Sequence, residues 1–333
     1  MPDAGEILRN PQWFPHRYDA QGERVEFVRL DRDIIRSLTF LADHQPRNQN
    51  DNVWLAASEL QADHIAAGKV HFIFHSAFVR STLLTRAMDL PGKSLGLSEP
   101  GILNDLAAAG SKASPALVPI LRLLSRPFGA GEVVVIKPSN VANSLIPAIL
   151  SARPDARALL LTGSIENFLH SVHKKGMMGR RWVRRLYRHI MQFAPMDLGM
   201  STAEQFEMTD LQYAGLAWFL QQRQFAMLLS SNERERLHSL DSDRFNQERF
   251  ETLARLSELF DMGAGPQELR EMVDGPTFAV HAKLGGDFKT QIETQEEAAK
   301  SDVVDQEVAM VAQWIGQIAQ AAGVSWPLAR PLL

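Results

Sequence analysis

The chain has 333 residues, a formal net charge of −4 and no cysteine. That length gives ample apolar material for one large or two ordinary domains, and the lack of cysteine excludes disulfides, thiolate zinc sites and cysteine nucleophiles. The charge balance argues against nucleic-acid binding by the protein as a whole, no apolar stretch approaches the roughly 20 residues that span a bilayer, and the start MPDAGEILRN lacks a basic segment followed by an apolar run, so a cytoplasmic protein is expected.

In chain order, residues 1–68 read as an N-terminal extension. Within it RVEFVRL (24–30) alternates like a strand, DRDIIRSLTFLADH (31–44) has a helical pattern, and QPRNQNDN (45–52) is a polar loop. From residue 70 strands and helices alternate. VHFIF (70–74) is a buried strand, followed by a helix in which Leu83 and Leu84 lie one turn from Ala87 and Met88. LGLSEP is a short extended stretch, and Pro100 opens another helix. EVVVIKPS (132–139) is the β-branched run of a parallel strand covered on both faces. NVANSLIPAIL follows as a helix that accepts Pro147 only if it begins near Asn143 or Ser144. ARALLLTGS (156–164) is a third strand, and Ser164 caps a helix whose Ile165, Phe168, Leu169 and Val172 share a face. Three strand–loop–helix units imply an α/β fold with a parallel sheet.

Beyond residue 175 the pattern is mainly helical. HKKGMMGRRWVRRLYRH is basic and amphipathic, and STAEQFEMTDLQYAGLAWFLQQRQFAMLL (201–229) reads as one long helix opened by a Ser201–Glu204 capping box. RLHSL (236–240) is a further strand, KLGGDFKTQ is a Gly-rich polar loop, and the last amphipathic helix stops at Gly323. The expected organisation is one domain over 1–333, with a core at 70–175 and a helical portion at 176–333 that carries a late loop at 283–290.

The chemistry centres on HFIFHSAFVRSTLLTRAM (71–88), where a strand runs through a short loop into a helix. Free N–H groups and the helix dipole at such a junction suit an anion, and Arg80, Ser81 and Thr82 add a guanidinium and two hydroxyls. An ordinary strand-to-helix turn with an N-capping Ser and a surface Arg fits the same residues. The glycines and lysine of a Walker A loop are missing, and neither later strand ends in the acid that would hold Mg²⁺. The basic run 173–189 reads as a solvated face paired with acids of neighbouring helices, against an anionic acceptor, a membrane surface or nucleic acid. No histidine pair brings further ligands, so no metal site is expected.

The loop VRSTLLTRAM resembles the 5′-phosphosulfate loop of the P-loop sulfotransferases, which commonly reads PRSGTTLL between a strand and a helix. LSEP at 97–100, the run from VIKPSN to FLHSV, and GGDFK at 285–289 are similar to later family segments and stand in the same order. The resemblance implies a three-layer, P-loop NTPase-like sheet with a helical C-terminal portion. It also implies metal-independent transfer of a sulfuryl group from 3′-phosphoadenosine-5′-phosphosulfate (PAPS) to a hydroxyl or amine acceptor. On it, Arg80, Ser81 and Thr82 hold the 5′-phosphosulfate, Lys137 reaches the transferring group, and Glu99 is the base, with His75 as competitor for that role. Ser171 matches the family's 3′-phosphate serine. The arginine that accompanies it falls on Gly163, which leaves Lys283 or Lys289 of the late loop, or the basic helix, to compensate. Two other readings stay open: a small-molecule kinase with an atypical loop, and a catalytically silent module that keeps the fold and an anion site.

Overall fold

The computed structural model describes residues 3–46, 52–61, 63, 65–279 and 302–333. In chain order the elements are α1 (Ala4–Arg9), β1 (Trp13–Asp19), β2 (Arg24–Arg29), α2 (Arg32–Ser37), β3 (Asn52–Ala56), β4 (Val70–His75), α3 (Ser81–Ala87), β5 (Ser94–Ser98), α4 (Gly101–Ala109), α5 (Ser114–Leu124), β6 (Val133–Lys137), α6 (Ile146–Ala152), β7 (Ala158–Thr162) and α7 (Ile165–Lys174). They continue with α8 (Gly176–Phe193), α9 (Thr202–Glu207), α10 (Asp210–Leu229), β8 (Leu237–Asp241), α11 (Ser242–Gln247), α12 (Arg249–Leu259), α13 (Pro266–Asp274), α14 (Pro276–Ala279) and α15 (Asp302–Ala321).

The five strands β5-β6-β4-β7-β8, in that spatial order, form a parallel sheet flanked by helices, the expected α/β architecture. Strands β4, β5, β6 and β7 are buried at every position, which is why β6 and β7 read as near-continuous apolar runs rather than alternating ones. In β5, Gly96 stands where a Cβ would lie 2.5 Å from the Thr85 carbonyl oxygen, so α3 packs directly on the strand backbone. The outer strand β8 is bridged in parallel by Pro331, with Ser239 N–H donating to Arg330 O and Leu332 N–H to Ser239 O.

The first 60 residues form more structure than their sequence announces. β1, β2 and β3 make an antiparallel sheet, with a bulge between Pro15 and Arg17 in β1. The helix read over 31–44 is shorter. Leu38 is extended and caps α2 by donating to Ile35 O, and the chain resumes only as a 3₁₀ turn at Leu41–Asp43. The helix carrying Pro147 starts at Ile146, after a 3₁₀ segment at Asn140–Leu145, which puts the proline in the first turn where its missing N–H is harmless. The helix read over 201–229 is two, because Thr209 and Gln212 form a second capping box behind an extended Met208.

The chain divides into two compact units, Met1–Phe74, Ser81–Ala158 and Arg249–Phe278 in one, His75–Arg80, Leu159–Glu248 and Ala279–Leu333 in the other. The second is organised around α7, α8, α10 and α15, where Phe168, Val183, Leu186, Leu216, Phe219 and Ile315 are buried together. In that core Gly215 leaves room for α15, since a Cβ there would lie 2.8 Å from both Ile315 and Val311.

In the first unit His71 is buried on β4, stacked on Phe260 with ring centroids 5.0 Å apart. Its Nδ1 accepts from the Arg157 N–H at 2.9 Å, so a proton there would break a backbone hydrogen bond. Burial is the main force holding its pKa down to about 4, with Arg157 second. The unfolded chain takes up this proton near pH 6.5, but the folded chain only near 4. Stability from this group is therefore complete above about pH 6.5 and declines as pH falls to about 4, by about 3 kcal/mol. Urea unfolding across that range should show the decline, and His71→Phe should flatten it.

Candidate functional site

In the first unit, two residues expected to act together do meet. Lys137 ends β6 and is fully buried, and its Nζ forms an ion pair and hydrogen bond with Glu99 Oε1. The register explains the meeting: Ser98 pairs with Lys137 across β5 and β6, and Glu99 N–H donates to Lys137 O at 2.7 Å. Glu99 C=O in turn accepts from Ala42 N–H at 3.1 Å. Held on both sides, Glu99 adopts a left-handed φ of 51°, a conformation that costs a non-glycine residue about 1–2 kcal/mol. The Phe40 ring centroid lies 5.3 Å from the ammonium. The Ser139 hydroxyl, two residues on, donates to Asn104 Oδ1 at 2.5 Å. A carboxylate with 19% of its side-chain surface exposed thus sits against an ammonium with none.

In the second unit, the loop His75–Arg80 carries two left-handed residues, neither of them glycine. Phe78 (φ 62°) and Arg80 (φ 56°) are both left-handed, while Ala77 and Val79 between and before them are not. Alternation of this kind turns successive N–H groups toward one side. Among the described residues, the N–H groups of Ala77, Phe78 and Arg80 find no backbone acceptor. Among the described residues, Phe78, Arg80 and Glu99 are three of the six non-glycine residues with positive φ.

The side chains of this loop are engaged. Arg80 Nη1 is 3.2 Å from Asp243 Oδ1, and Asp243 Oδ2 accepts from Asn167 Nδ2 at 2.7 Å. Both charged groups are about a third exposed, so the pair is a weak restraint. Phe78 packs against Phe168 and Trp182, with Lys175 5.7 Å from its ring centroid. His75 is buried, and its Nδ1 lies 2.7 Å from Ser76 O. A carbonyl only accepts, so Nδ1 carries hydrogen and Nε2 is the nitrogen that can take a proton. The Ser76 hydroxyl is buried with no hydrogen-bond partner among the described residues. Ser81 and Thr82 are buried in the first turn of α3, where Ser81 O accepts from the Thr85 hydroxyl. Ser171 is half-buried on α7, one turn beyond Asn167 and on its side of the helix. Lys283 and Lys289 lie outside the described residues.

Gly163 is closely surrounded. A Cβ at position 163 would lie 2.9 Å from Ser242 Oγ and 3.2 Å from Val79 Cγ1, and Gly163 O accepts from Trp218 Nε1 at 2.9 Å. The place is filled. Sequence reasoning did not find Asn167 or Asp243, the residues that hold Arg80. The accessible hint was the capped start of each helix, Ser164 accepting from Asn167 N–H and Asp241 from Asp243 N–H. Among the described residues no group of three or more His, Asp or Glu is placed to hold a metal ion, and no helix is long and apolar enough to cross a membrane.

Glu99→Gln should destabilise the protein by about 3 kcal/mol, because it leaves the buried Lys137 ammonium without its counter-charge. Adding Lys137→Met should recover most of that loss in urea unfolding. Gly163→Arg should cost roughly 1–3 kcal/mol through overpacking. Ser242→Gly in the same chain should return part of the lost melting temperature by removing the nearest contact.

Neither a family model nor a curated protein matches the sequence. A solved structure described as a "Sulfotransferase Domain from the Curacin Biosynthetic Pathway" is similar at 14% identity, over 78% of this chain and 99% of that chain, with a TM-score of 0.41, a level of likeness from which no role is carried over.

Proposed function

We propose that the chain transfers a sulfuryl group from PAPS to a hydroxyl or amine acceptor without a metal ion. The observation that carries this reading is the Glu99–Lys137 pair at the carboxyl ends of β5 and β6, where open α/β sheets bind their ligands. The acceptor oxygen or nitrogen attacks sulfur and forms the new bond while Glu99 removes its proton. The bond between sulfur and the bridging oxygen breaks, and the electron pair leaves on the 5′-phosphate of adenosine 3′,5′-bisphosphate. Lys137 supplies positive charge where that oxygen becomes negative. His75 Nε2 is the alternative proton acceptor.

In this reading the loop N–H groups, Arg80, Ser81 and Thr82 hold the 5′-phosphosulfate, and Arg80 exchanges Asp243 for it. For the 3′-phosphate, Ser171 and Asn167 are the groups on the same side of α7. No arginine accompanies them at 163, so the donor is bound more weakly than a guanidinium there would allow. A silent anion-binding module is the second reading, favoured by the Arg80–Asp243 pair, the aromatic packing of Phe78 and the filled position at Gly163.

Calorimetry and melting with adenosine 3′,5′-bisphosphate, and with ATP in the presence and absence of Mg²⁺, test the proposal. The bisphosphate at about 100 times its dissociation constant should stabilise the protein by roughly 2.7 kcal/mol, and Arg80→Ala should abolish the gain. Turnover of PAPS that Glu99→Gln removes, with bisphosphate binding retained, separates the enzyme from the silent module. ATP binding that requires Mg²⁺, with no bisphosphate binding, would replace both readings with a kinase.

A further inference from the structure

Between Glu166 and Asp197 the chain carries seven Lys and Arg residues and no acid, in a protein of net charge −4. Helix α8 resolves this segment into faces. Gly179, Val183, Leu186, Tyr187 and Ile190 are buried in the helical core of the second unit. Met177, Met178, Arg181, Arg185 and Arg188 are exposed on the opposite side, the two methionines by 71% and 76%. Gly176, with φ 54°, turns the chain between α7 and α8 and leaves Lys174–Met178 exposed as a corner.

The expectation that neighbouring acids neutralise this face holds for only part of it. Arg184 and Arg180 lie 2.6 and 4.0 Å from Asp210. Among the described residues Lys174, Arg181, Arg185 and Arg188 have no ion-pair partner, and Lys175 has only the ring of Phe78. Arg184 also donates to Met208 O, which places α9 beside this helix. Two residues before Met208, Phe206 is 87% exposed.

We infer that this face of α8 docks on an anionic lipid surface, with the arginines and lysines at the phosphates and Met177 and Met178 in the acyl boundary. The mixture decides the partner. A nucleic acid or an acidic protein surface would match the cations but give two adjacent exposed thioethers nothing to bury against, whereas the headgroup region accepts both. The inference stands apart from the sulfuryl-transfer reading, which gives no role to Met177, Met178, Arg181, Arg185 or Arg188 by name.

Flotation of the full chain with phosphatidylcholine vesicles, with and without phosphatidylserine, tests it. Binding should require phosphatidylserine and fall as salt is raised past about 0.1 M. Each arginine near such a surface is worth about fivefold in affinity, so Arg181→Gln, Arg185→Gln and Arg188→Gln together should weaken it about 100-fold. Met177→Ser with Met178→Ser should weaken binding several-fold while leaving its salt dependence unchanged. These side chains are exposed, so circular dichroism and melting should match the parent chain. Failure to bind phosphatidylserine vesicles at low salt would overturn the inference. So would binding indifferent to the arginine changes, or tighter capture of duplex DNA that the methionine changes leave untouched.

Discussion

A lysine ammonium with no solvent contact is the constraint around which the first unit is arranged. Removing such a group from water is expensive, and only a close carboxylate with fixed geometry offsets the desolvation. Glu99 supplies it, but only by leaving the ordinary backbone region at the end of β5, pinned by Lys137 O on one side and Ala42 N–H on the other. The 3₁₀ turn containing Ala42 is therefore part of what keeps the carboxylate in place. So is the short register between β5 and β6, since a slip of one residue would point Glu99 away from Lys137. Hydrophobic residues would fill this place at less electrostatic cost.

The loop after β4 solves a related problem with different means. Left-handed backbone is ordinarily left to glycine, and here Phe78 and Arg80 adopt it. Their side chains supply the restraint. Phe78 packs among Phe168, Trp182 and the Lys175 ammonium, and Arg80 is tethered to Asp243. Phe78, Trp182 and Arg80 are all half-buried.

Much of this was legible in the sequence because the governing signals are local. The run 70–74 covers all but the last residue of β4, and the runs 132–139 and 156–164 contain β6 and β7, since a strand covered on both faces has little room for polar alternation. Glu99 and Lys137 were singled out through the resemblance, and the pairing of their side chains shows only in the register of β5 and β6. The rest depended on contacts far apart in the chain. Asn167 reaches Asp243 across 76 residues and Arg80 reaches it across 163, and neither distance leaves a pattern in one sequence. β1 was hidden by Pro15 and by the bulge beside it, and β3 by the polar stretch that precedes it. The break at Met208 was written in Thr209 and Gln212 but masked by the apolar run that follows.

The bridge between Ser239 and Pro331 has a consequence for aggregation. β8 is the outer strand of the parallel sheet, and an open outer strand is a template for another chain. Residues 330–332 occupy its N–H and C=O groups at Ser239, and a proline at the bridge cannot extend the ladder outward. The guard is in place only after a loop of about 90 residues has closed. A chain that has assembled its sheet but not yet brought this segment home presents β8 unprotected. That interval, rather than the native state, is where self-association of this protein would begin.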